Sequence, residues 1–264
     1  YAYIVVNKNE TLEQFKWVDT HCHLQLTKDK IENLYLDNIE YLIIPGVDIK
    51  SSLEARDVSL SLDKESYWSA GLHPHEADEF ENLKETFDDL FNEADLIGET
   101  GLDYYRNLSS KTNQINSLKY HLDIANQLSK PVILHCRDSF SDMFDVLSEG
   151  DYKNPIILHS WTGGNRWTKK FIDLDVYFSI SGIVTYDTAH DLHSAVCKIP
   201  TNRLLLETDI PYLAPKPHKG EVNKPSYIMY TAQKVSELLD VTLEELSSLT
   251  ISNSNRLLSR TTNE

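Results

Sequence analysis

The chain has 264 residues, of which 41% are hydrophobic, so it carries enough apolar material for a sizeable core and is not a disordered chain. Its 25 Lys and Arg against 41 Asp and Glu give a net charge of −16. This balance argues against tight, sequence-independent coating of duplex DNA, because such binding depends on basic side chains that neutralise phosphates. A nucleic-acid substrate that meets bound metal ions locally is compatible with it. No apolar run approaches the roughly 18 residues of a membrane span, and no secretory signal pattern opens the chain.

The cysteines are three in number, without the spacing of a disulfide framework. Such usage is typical of free thiols in a reducing compartment rather than of a secreted scaffold. We therefore expect a cytoplasmic protein with Cys22, Cys136 and Cys197 all free.

Eight short apolar runs follow one another along the chain. Their apolarity is continuous rather than alternating, which is typical of strands buried on both faces in a parallel sheet. Between them, apolar residues at steps of three and four predict helices, for example over 80–90 and 115–125. The predicted strands are Trp17–Val18, Tyr41–Ile44, Tyr67–Ala70, Leu96–Ile97, Val132–Leu134, Ile156–Leu158, Val176–Ile180 and Leu204–Leu206.

The C-terminal part is predicted to be helical. Apolar residues keep helical spacing over 228–239, and Thr242 with Glu245 forms a capping box for a final helix. No linker, repeat or low-complexity segment divides the chain, so we expect one domain over 1–264 with its core at about 17–258. The fold class is α/β, a TIM-type (β/α)8 barrel with an extra C-terminal helix. An open doubly wound sheet is less favoured, because no GxGxxG follows the first strand.

Histidines and acidic residues fall at the ends of the predicted strands. In a parallel barrel these ends converge on one mouth, where enzymes of this architecture place their catalytic groups. His21 and His23 are two residues apart, so on an extended segment both imidazoles point to one side while Cys22 points away. Groups of this kind at the same pole of five strands indicate a metal site. The candidate ligands are His21, His23, Glu99, His135, His159 and Asp209.

Six such groups exceed what one tetrahedral ion needs. Two divalent ions about 3.5–4 Å apart, sharing a carboxylate and a water, would use all six and lower the pKa of that water to about 7. Mixed imidazole and carboxylate ligands suit Mg, Mn, Zn or Fe. The remaining histidines lie outside the pattern and are interpreted as structural; they are His121, His190, His193 and His218.

The strand-end motifs occur in a recognisable order: VDTHCHL, GLHPHEA, IGETGLDYYR, KPVILHCRDS, LHSWTGG, FSISGIVTY and LLLETDIPYLAP. From about Trp17 to about Leu258 this succession resembles the TatD family of metal-dependent deoxyribonucleases in the amidohydrolase superfamily. Members are βα barrels with a divalent-metal site that act as phosphodiesterases on DNA, often as 3′ to 5′ exonucleases that prefer single strands. The resemblance therefore implies this fold, this activity and DNA as the partner.

The resemblance also implies how the ligands are shared between two metals. Glu99 matches the carboxylate that bridges them, and it is therefore a catalytic residue as well as a ligand. The first metal would be held by His21, His23, Glu99 and Asp209, and the second by Glu99, His135 and His159.

Other positions match residues that handle the substrate. Asp209 resembles the group that orients the attacking water and accepts its proton. His73 and Arg137 match positions that face the scissile phosphate, and a guanidinium can fork onto phosphate oxygens, although an ion pair of Arg137 with Asp138 is the structural alternative. Asn223 is expected to contact the substrate.

Two segments depart from the family pattern. Trp161 stands in HSWTG where relatives usually read HCFSG, and its indole either packs in the core or offers a base-stacking face. Where relatives carry a GKRNEP-like string, Glu221 and Val222 replace basic charge, which weakens the expected grip on a polyanion. The lysines that could compensate are Lys216, Lys219 and Lys224.

The sequence thus predicts hydrolysis of a phosphodiester near a DNA 3′ end. D-aminoacyl-tRNA deacylation, an ester hydrolysis reported for some TatD relatives, is the alternative and would make tRNA the partner. A lactonase or amidohydrolase acting on a small molecule is a third chemistry. A barrel that binds a partner without catalysis is an alternative from another functional class. The presence of every candidate ligand argues against it. No membrane and no protein partner are indicated.

Overall fold

The computed structural model describes residues 14–28 and 34–259, and its framework is a set of eight parallel strands. Each strand hydrogen-bonds to the next one along the chain, in the order β1 to β8. The strands are β1 Trp17–Asp19, β2 Ile39–Pro45, β3 Ser66–Ala70, β4 Leu96–Asp103, β5 Val132–Arg137, β6 Ile156–Leu158, β7 Val176–Ile180 and β8 Leu204–Leu206.

The first and last strands meet and nearly close the sheet into a barrel. The Thr20 backbone N–H donates to the Leu206 carbonyl at 3.1 Å, and the Asp209 N–H donates to the His21 carbonyl at 2.8 Å. Strands buried on both faces need apolar side chains throughout, which explains their continuous apolar runs. The predicted TIM-type barrel is therefore confirmed.

Two strands are longer than predicted. β4 continues past Ile97 to Asp103, and β5 continues past Leu134 to Arg137. Glu99 and His135 thus lie within the last part of their strands rather than directly after them. The apolar run marks only where a strand is lined by apolar residues, whereas the ladder of backbone hydrogen bonds continues beyond it.

Helices cover the outside of the barrel, and in the described residues none is long and apolar enough to cross a bilayer. After β1 these residues contain a short 3-10 turn at Leu24–Leu26. The helix predicted over 80–90 is divided by another 3-10 turn at Lys84–Phe87, because steps of three and four residues suit either helix type. The helices are α1 Ile49–Ser61, α2 Phe80–Leu83, α3 Asp88–Glu93, α4 Lys111–Leu128, α5 Phe140–Glu149, α6 Gly164–Phe171, α7 His190–Val196, α8 Ile228–Leu239 and α9 Leu243–Ser259.

The extra C-terminal helix, α9, packs under the barrel at the end opposite the mouth. Its capping box forms as predicted: Thr242 Oγ1 accepts from the Glu245 N–H at 3.1 Å, and Glu245 Oε2 accepts from the Thr242 N–H at 2.8 Å. Asn253 then donates to the Leu204 carbonyl at 2.8 Å, and Leu257 is buried against the strands.

The interior of the barrel has two layers. On three strands a buried apolar residue is followed two positions later by an ionisable one, which places both on the inner face: Ile133 and His135, Ile157 and His159, Leu205 and Glu207. The lower layer is the apolar cluster Ile43, Leu96, Ile133, Ile157, Tyr177, Leu205 and Leu257. The upper layer, at the mouth, consists of the buried His21, Glu99, His159, Glu207 and Asp209 together with the partly buried His135.

Candidate metal centre

The segment after β1 presents two imidazoles to the mouth. Hydrogen bonds hold it extended between its neighbours: Cys22 N–H donates to the Ile43 carbonyl and His23 N–H to the Ile210 carbonyl, both at 3.0 Å. The Cys22 thiol faces Ile43, away from the mouth, whereas Nε2 of His21 and Nε2 of His23 lie 3.1 Å apart. The predicted alternation along this segment is therefore confirmed.

Glu99 enters the centre of the mouth from β4. It lies between Gly98 and Gly101, whose φ angles of 120° and 143° are rarely adopted by residues with a side chain. The pairing of β4 with β5 shifts in register between Ile97 and Thr100. This irregularity turns the Glu99 side chain inward, where the residue is only 2% exposed.

Four ligand-type atoms form a first group, in which the imidazoles of His21 and His23 each lie near both carboxylates. Measured separations within it are 3.1 to 3.8 Å. A tetrahedral ion with ligands at about 2.1 Å sets neighbouring ligand atoms about 3.4 Å apart, so this spacing suits one cation. The atoms of the first group are His21 Nε2, His23 Nε2, Glu99 Oε2 and Asp209 Oδ1.

A second group forms around the other oxygen of the same carboxylate. Glu99 Oε1 lies 3.1 Å from His135 Nδ1 and 3.0 Å from His159 Nε2, and these two nitrogens are 3.1 Å apart. Each oxygen of Glu99 therefore faces a different set of nitrogens. The six predicted ligands are brought together, and their side chains can hold metal ions.

The far nitrogens of three of the four histidines lie beside acceptors, which favours the tautomers that a metal ligand needs. His23 Nδ1 donates to the Pro45 carbonyl at 3.1 Å, and His135 Nε2 faces Asp103 Oδ2 at 3.1 Å. Nδ1 of His159 lies 3.4 Å from Glu207 Oε1. With the proton on the outer nitrogen, the inner one keeps its lone pair for a cation.

His73 lies beside the second group but has the opposite tautomer. Its Nδ1 accepts from the His75 N–H at 3.2 Å, so the neutral ring carries its proton on Nε2, 3.4 Å from Glu99 Oε1. Burial lowers the pKa of His73 to about 4, which keeps the ring neutral. An N–H at this point suits hydrogen bonding to an anion better than ligation of a metal.

The two carboxylates of the first group have opposite pKa shifts. Burial alone would raise the pKa of Glu99, but the adjacent imidazoles, above all His159 and His73, hold it well below its usual range. Burial raises the pKa of Asp209 well above its usual range, and the neighbouring negative charge of Glu207 acts in the same direction. Asp209 is therefore the carboxylate that readily takes up a proton.

The histidines also divide into two pairs. Burial lowers the pKa of His21, and it lowers that of His23 to about 3. Burial acts in the same direction on His135 and His159, but nearby carboxylates outweigh it and raise both pKa values. Protons therefore compete with a cation for the second group more than for the first.

Sequence reasoning missed two carboxylates that support these ligands. Asp103 is 1% exposed; its Oδ2 contacts His135 Nε2 and, at 3.0 Å, His75 Nε2. Glu207 is fully buried and accepts from the Ser160 N–H at 2.8 Å. The inward alternation of β8 could have identified Glu207, whereas Asp103 needed the true length of β4.

Asn223 is buried and engaged by the backbone of the loop that follows β8. It is 2% exposed, and its amide donates to the carbonyls of Thr208 and Tyr212 at 2.8 and 2.7 Å. Because these bonds use both amide hydrogens, the amide has none left to donate to a substrate, and substrate contact by Asn223 stays a prediction. Its role is to fix the loop that carries Asp209.

Arg137 and Trp161, which were also considered for substrate contact, each pack against neighbouring side chains. The Arg137 guanidinium stacks on the Tyr105 ring, 3.9 Å from its centroid, and the structure shows no ion pair with Asp138. Trp161 is 2% exposed and donates from its indole to Thr168, so it packs in the core and offers no stacking face.

Of the candidate lysines, two are engaged by neighbouring side chains. Lys216 pairs with Asp187, and Lys219 lies 4.2 Å from the Tyr186 ring centroid. Lys224 is exposed. The basic charge around this loop is thus partly used within the protein.

The histidines interpreted as structural have ordinary contacts. His121 is 1% exposed, donates to the Ser117 carbonyl at 2.7 Å and accepts from the Leu72 N–H at 3.1 Å. His218 stacks on Tyr227 with centroids 3.9 Å apart. The three cysteines are free, as predicted.

Comparisons with known proteins agree with this geometry. The family model described as TatD-related DNase matches residues 18–259. The uncharacterized metal-dependent hydrolase BU355 of Buchnera aphidicola is 35% identical over 258 residues, covering 89% of this chain and 96% of that protein. The uncharacterized metal-dependent hydrolase YcfH of Escherichia coli K12 is 35% identical over 255 residues, with coverages of 91% and 94%.

Solved structures are similar in fold. The TatD homologue YjjV from Escherichia coli K12 gives a TM-score of 0.82 at 22% identity and covers 91% of this chain and 97% of its own. A TatD family hydrolase from Entamoeba histolytica gives 0.78 at 20% identity, with coverages of 92% and 98%. On the match of the family model and of these relatives, the chain belongs to the family of TatD-related DNases.

Proposed function

We propose that this metal-dependent hydrolase is a deoxyribonuclease, a single-domain and cytoplasmic enzyme that cleaves DNA phosphodiesters from single-stranded 3′ ends. The observation that carries the two-metal part of the proposal is the position of Glu99, whose two oxygens each face a separate set of imidazole nitrogens. DNA as the substrate is supported by the description of the family.

The residues present fit a pair of divalent cations. His21, His23 and Asp209 would hold one, His135 and His159 the other, and Glu99 both. The spacing of the first group and the tautomers of the histidines support this assignment. Cations held there supply Lewis acidity, which lowers the pKa of water and offsets the charge of a phosphate.

The chain itself supplies the proton acceptor and the phosphate contacts. Asp209 combines a raised pKa with a place at the rim of the first group, so it suits accepting the proton of the attacking water. The neutral His73 offers its Nε2–H to a phosphate oxygen. Arg137, held by Tyr105, offers a planar set of donors to the same anion.

The test combines elemental analysis with a nuclease assay on the purified chain. We expect about two divalent ions per chain and stepwise release of nucleotides from a 3′-labelled single strand, both abolished by exhaustive chelation. Release of D-Tyr from charged tRNA without DNA cleavage would instead identify a deacylase. A metal-loaded protein that hydrolyses neither substrate would point to a binding module.

A further inference from the structure

Exposed apolar side chains concentrate on two loops at the mouth. Of the large apolar residues that are well exposed in the described part of the chain, four lie on the loops that follow β4 and β8: Tyr105, Leu108, Tyr212 and Val222. In the order β1 to β8 these two strands are four positions apart, so the loops lie across the barrel mouth from each other. The metal centre lies between them.

Tyr105 forms one side of this arrangement. The ring is 60% exposed although Arg137 stacks on it at 3.9 Å. Arg137 lies two residues after the ligand His135 on β5, and among the described residues its side chain makes no hydrogen bond or ion pair. The pair therefore presents an open aromatic surface and an uncommitted cation beside the second group.

Tyr212 forms the other side. It is 55% exposed, and its ring lies edge-on to His23 at a centroid distance of 6.5 Å. Its backbone is fixed on both sides, because its N–H donates to the Asp209 carbonyl at 2.9 Å and its carbonyl accepts from Asn223 at 2.7 Å. This ring is thus held next to the first group.

The negative net charge of the chain makes exposed aromatic surfaces important for holding a nucleic-acid strand. The net charge is −16, Lys216 is paired with Asp187, and Lys219 lies over Tyr186. Attraction for the phosphate backbone away from the metal centre is therefore weak. Affinity for a strand must come largely from contacts that do not depend on charge, and an aromatic ring stacks on any unpaired base.

We propose that Tyr105 and Tyr212 are stacking platforms for the unpaired bases on either side of the cleaved bond. The inference rests on the proposed phosphodiesterase function and deepens it. Bases paired within a duplex cannot lie on these rings, so the tyrosines make the site selective for an unpaired strand.

The test uses metal-loaded full-length protein and 3′-labelled oligothymidylate. A second substrate carries dihydrothymidine at its last two positions, because the saturated ring of that nucleoside is not planar and stacks poorly. We expect Tyr105→Ala and Tyr212→Ala each to raise KM about 10-fold on oligothymidylate, with kcat changed much less. Tyr105→Phe and Tyr212→Phe should keep the wild-type KM, since the ring remains.

The modified strand and a matched variant give the controls. Wild-type enzyme should lose affinity for the dihydrothymidine strand, and the alanine variants should lose little more on it. Tyr35→Ala removes a tyrosine that is 54% exposed just before β2, away from the mouth. This variant should have the wild-type KM and kcat on both strands. An equal wild-type KM for both strands, or unchanged KM in both alanine variants, overturns the stacking inference while the nuclease function stands. No cleavage of any strand by wild-type enzyme overturns the function itself.

Discussion

The two layers of the barrel interior are built from the same strands but differ in polarity and in the ionisable groups they contain. The lower layer is wholly buried, apolar apart from one tyrosine hydroxyl, and closed beneath by Leu257. The upper layer, two residues along, places several carboxylates and imidazoles in nearly as complete burial, where each ionised group is costly to desolvate. The comparison teaches that stability is concentrated in one layer and reactivity in the other. The predictions below test that division, beginning with the largest expected effect.

Removing the charge of Glu99 should nearly abolish hydrolysis. We expect Glu99→Gln to lower kcat on the order of 10³-fold or more, because one carboxylate serves both groups of nitrogens. Metal content measured by elemental analysis should fall with it. Far-ultraviolet circular dichroism serves as the folding control, and an unchanged turnover would contradict the assignment.

Truncating a side chain of the lower layer should lower stability and leave activity unchanged. Leu205 is fully buried, so Leu205→Ala should lower the free energy of unfolding by about 2–5 kcal/mol. Activity per folded molecule should be kept, since Glu207 is anchored separately through Ser160. Denaturant unfolding and an activity assay check the two parts. Leu60→Ala, at a leucine that is 78% exposed on α1, is the control and should change stability by less than about 0.5 kcal/mol.

Neutralising Asp103 should weaken the second group of the upper layer selectively. Without its negative charge, the proton on the outer nitrogen of His135 is held less firmly, and we expect Asp103→Asn to lower metal affinity or activity about 10- to 100-fold. Calorimetric metal titration should show one weakened binding event rather than two. Asp78→Asn, which alters an exposed carboxylate that accepts from the Ser110 N–H, should leave the titration unchanged.

The smallest effect should come from a histidine outside both layers. Burial lowers the pKa of His121 to about 4 from 6.5, so the unfolded chain binds this proton more readily than the folded one. Its contribution to stability is complete above pH 6.5 and is lost as the pH falls toward 4. We expect wild-type protein to lose on the order of 2 kcal/mol more than His121→Gln between pH 7 and pH 5, measured by urea unfolding at each pH. If the free energies of unfolding of the two proteins changed equally with pH, the lowered pKa of His121 would be refuted.

The fold, and the gathering of ligand-type side chains at the mouth, could be predicted because both depend on short-range patterns. Apolar runs located every strand, and the two-residue alternation put His21 and His23 on one side. Asp103 could not be assigned, because its contact with His135 depends on the register between strands. Glu207, in contrast, follows the inward alternation of β8. The contacts of Asn223 with backbone carbonyls also could not be predicted, since they join it to residues 11 and 15 positions away.

The helix beneath the barrel has a consequence for how a polymer is handled. Because α9 seals the lower end, the barrel is a cup rather than a tunnel. For the proposed nuclease, this means that a strand cannot be threaded through the barrel, so each released fragment would leave by the mouth through which the strand arrived.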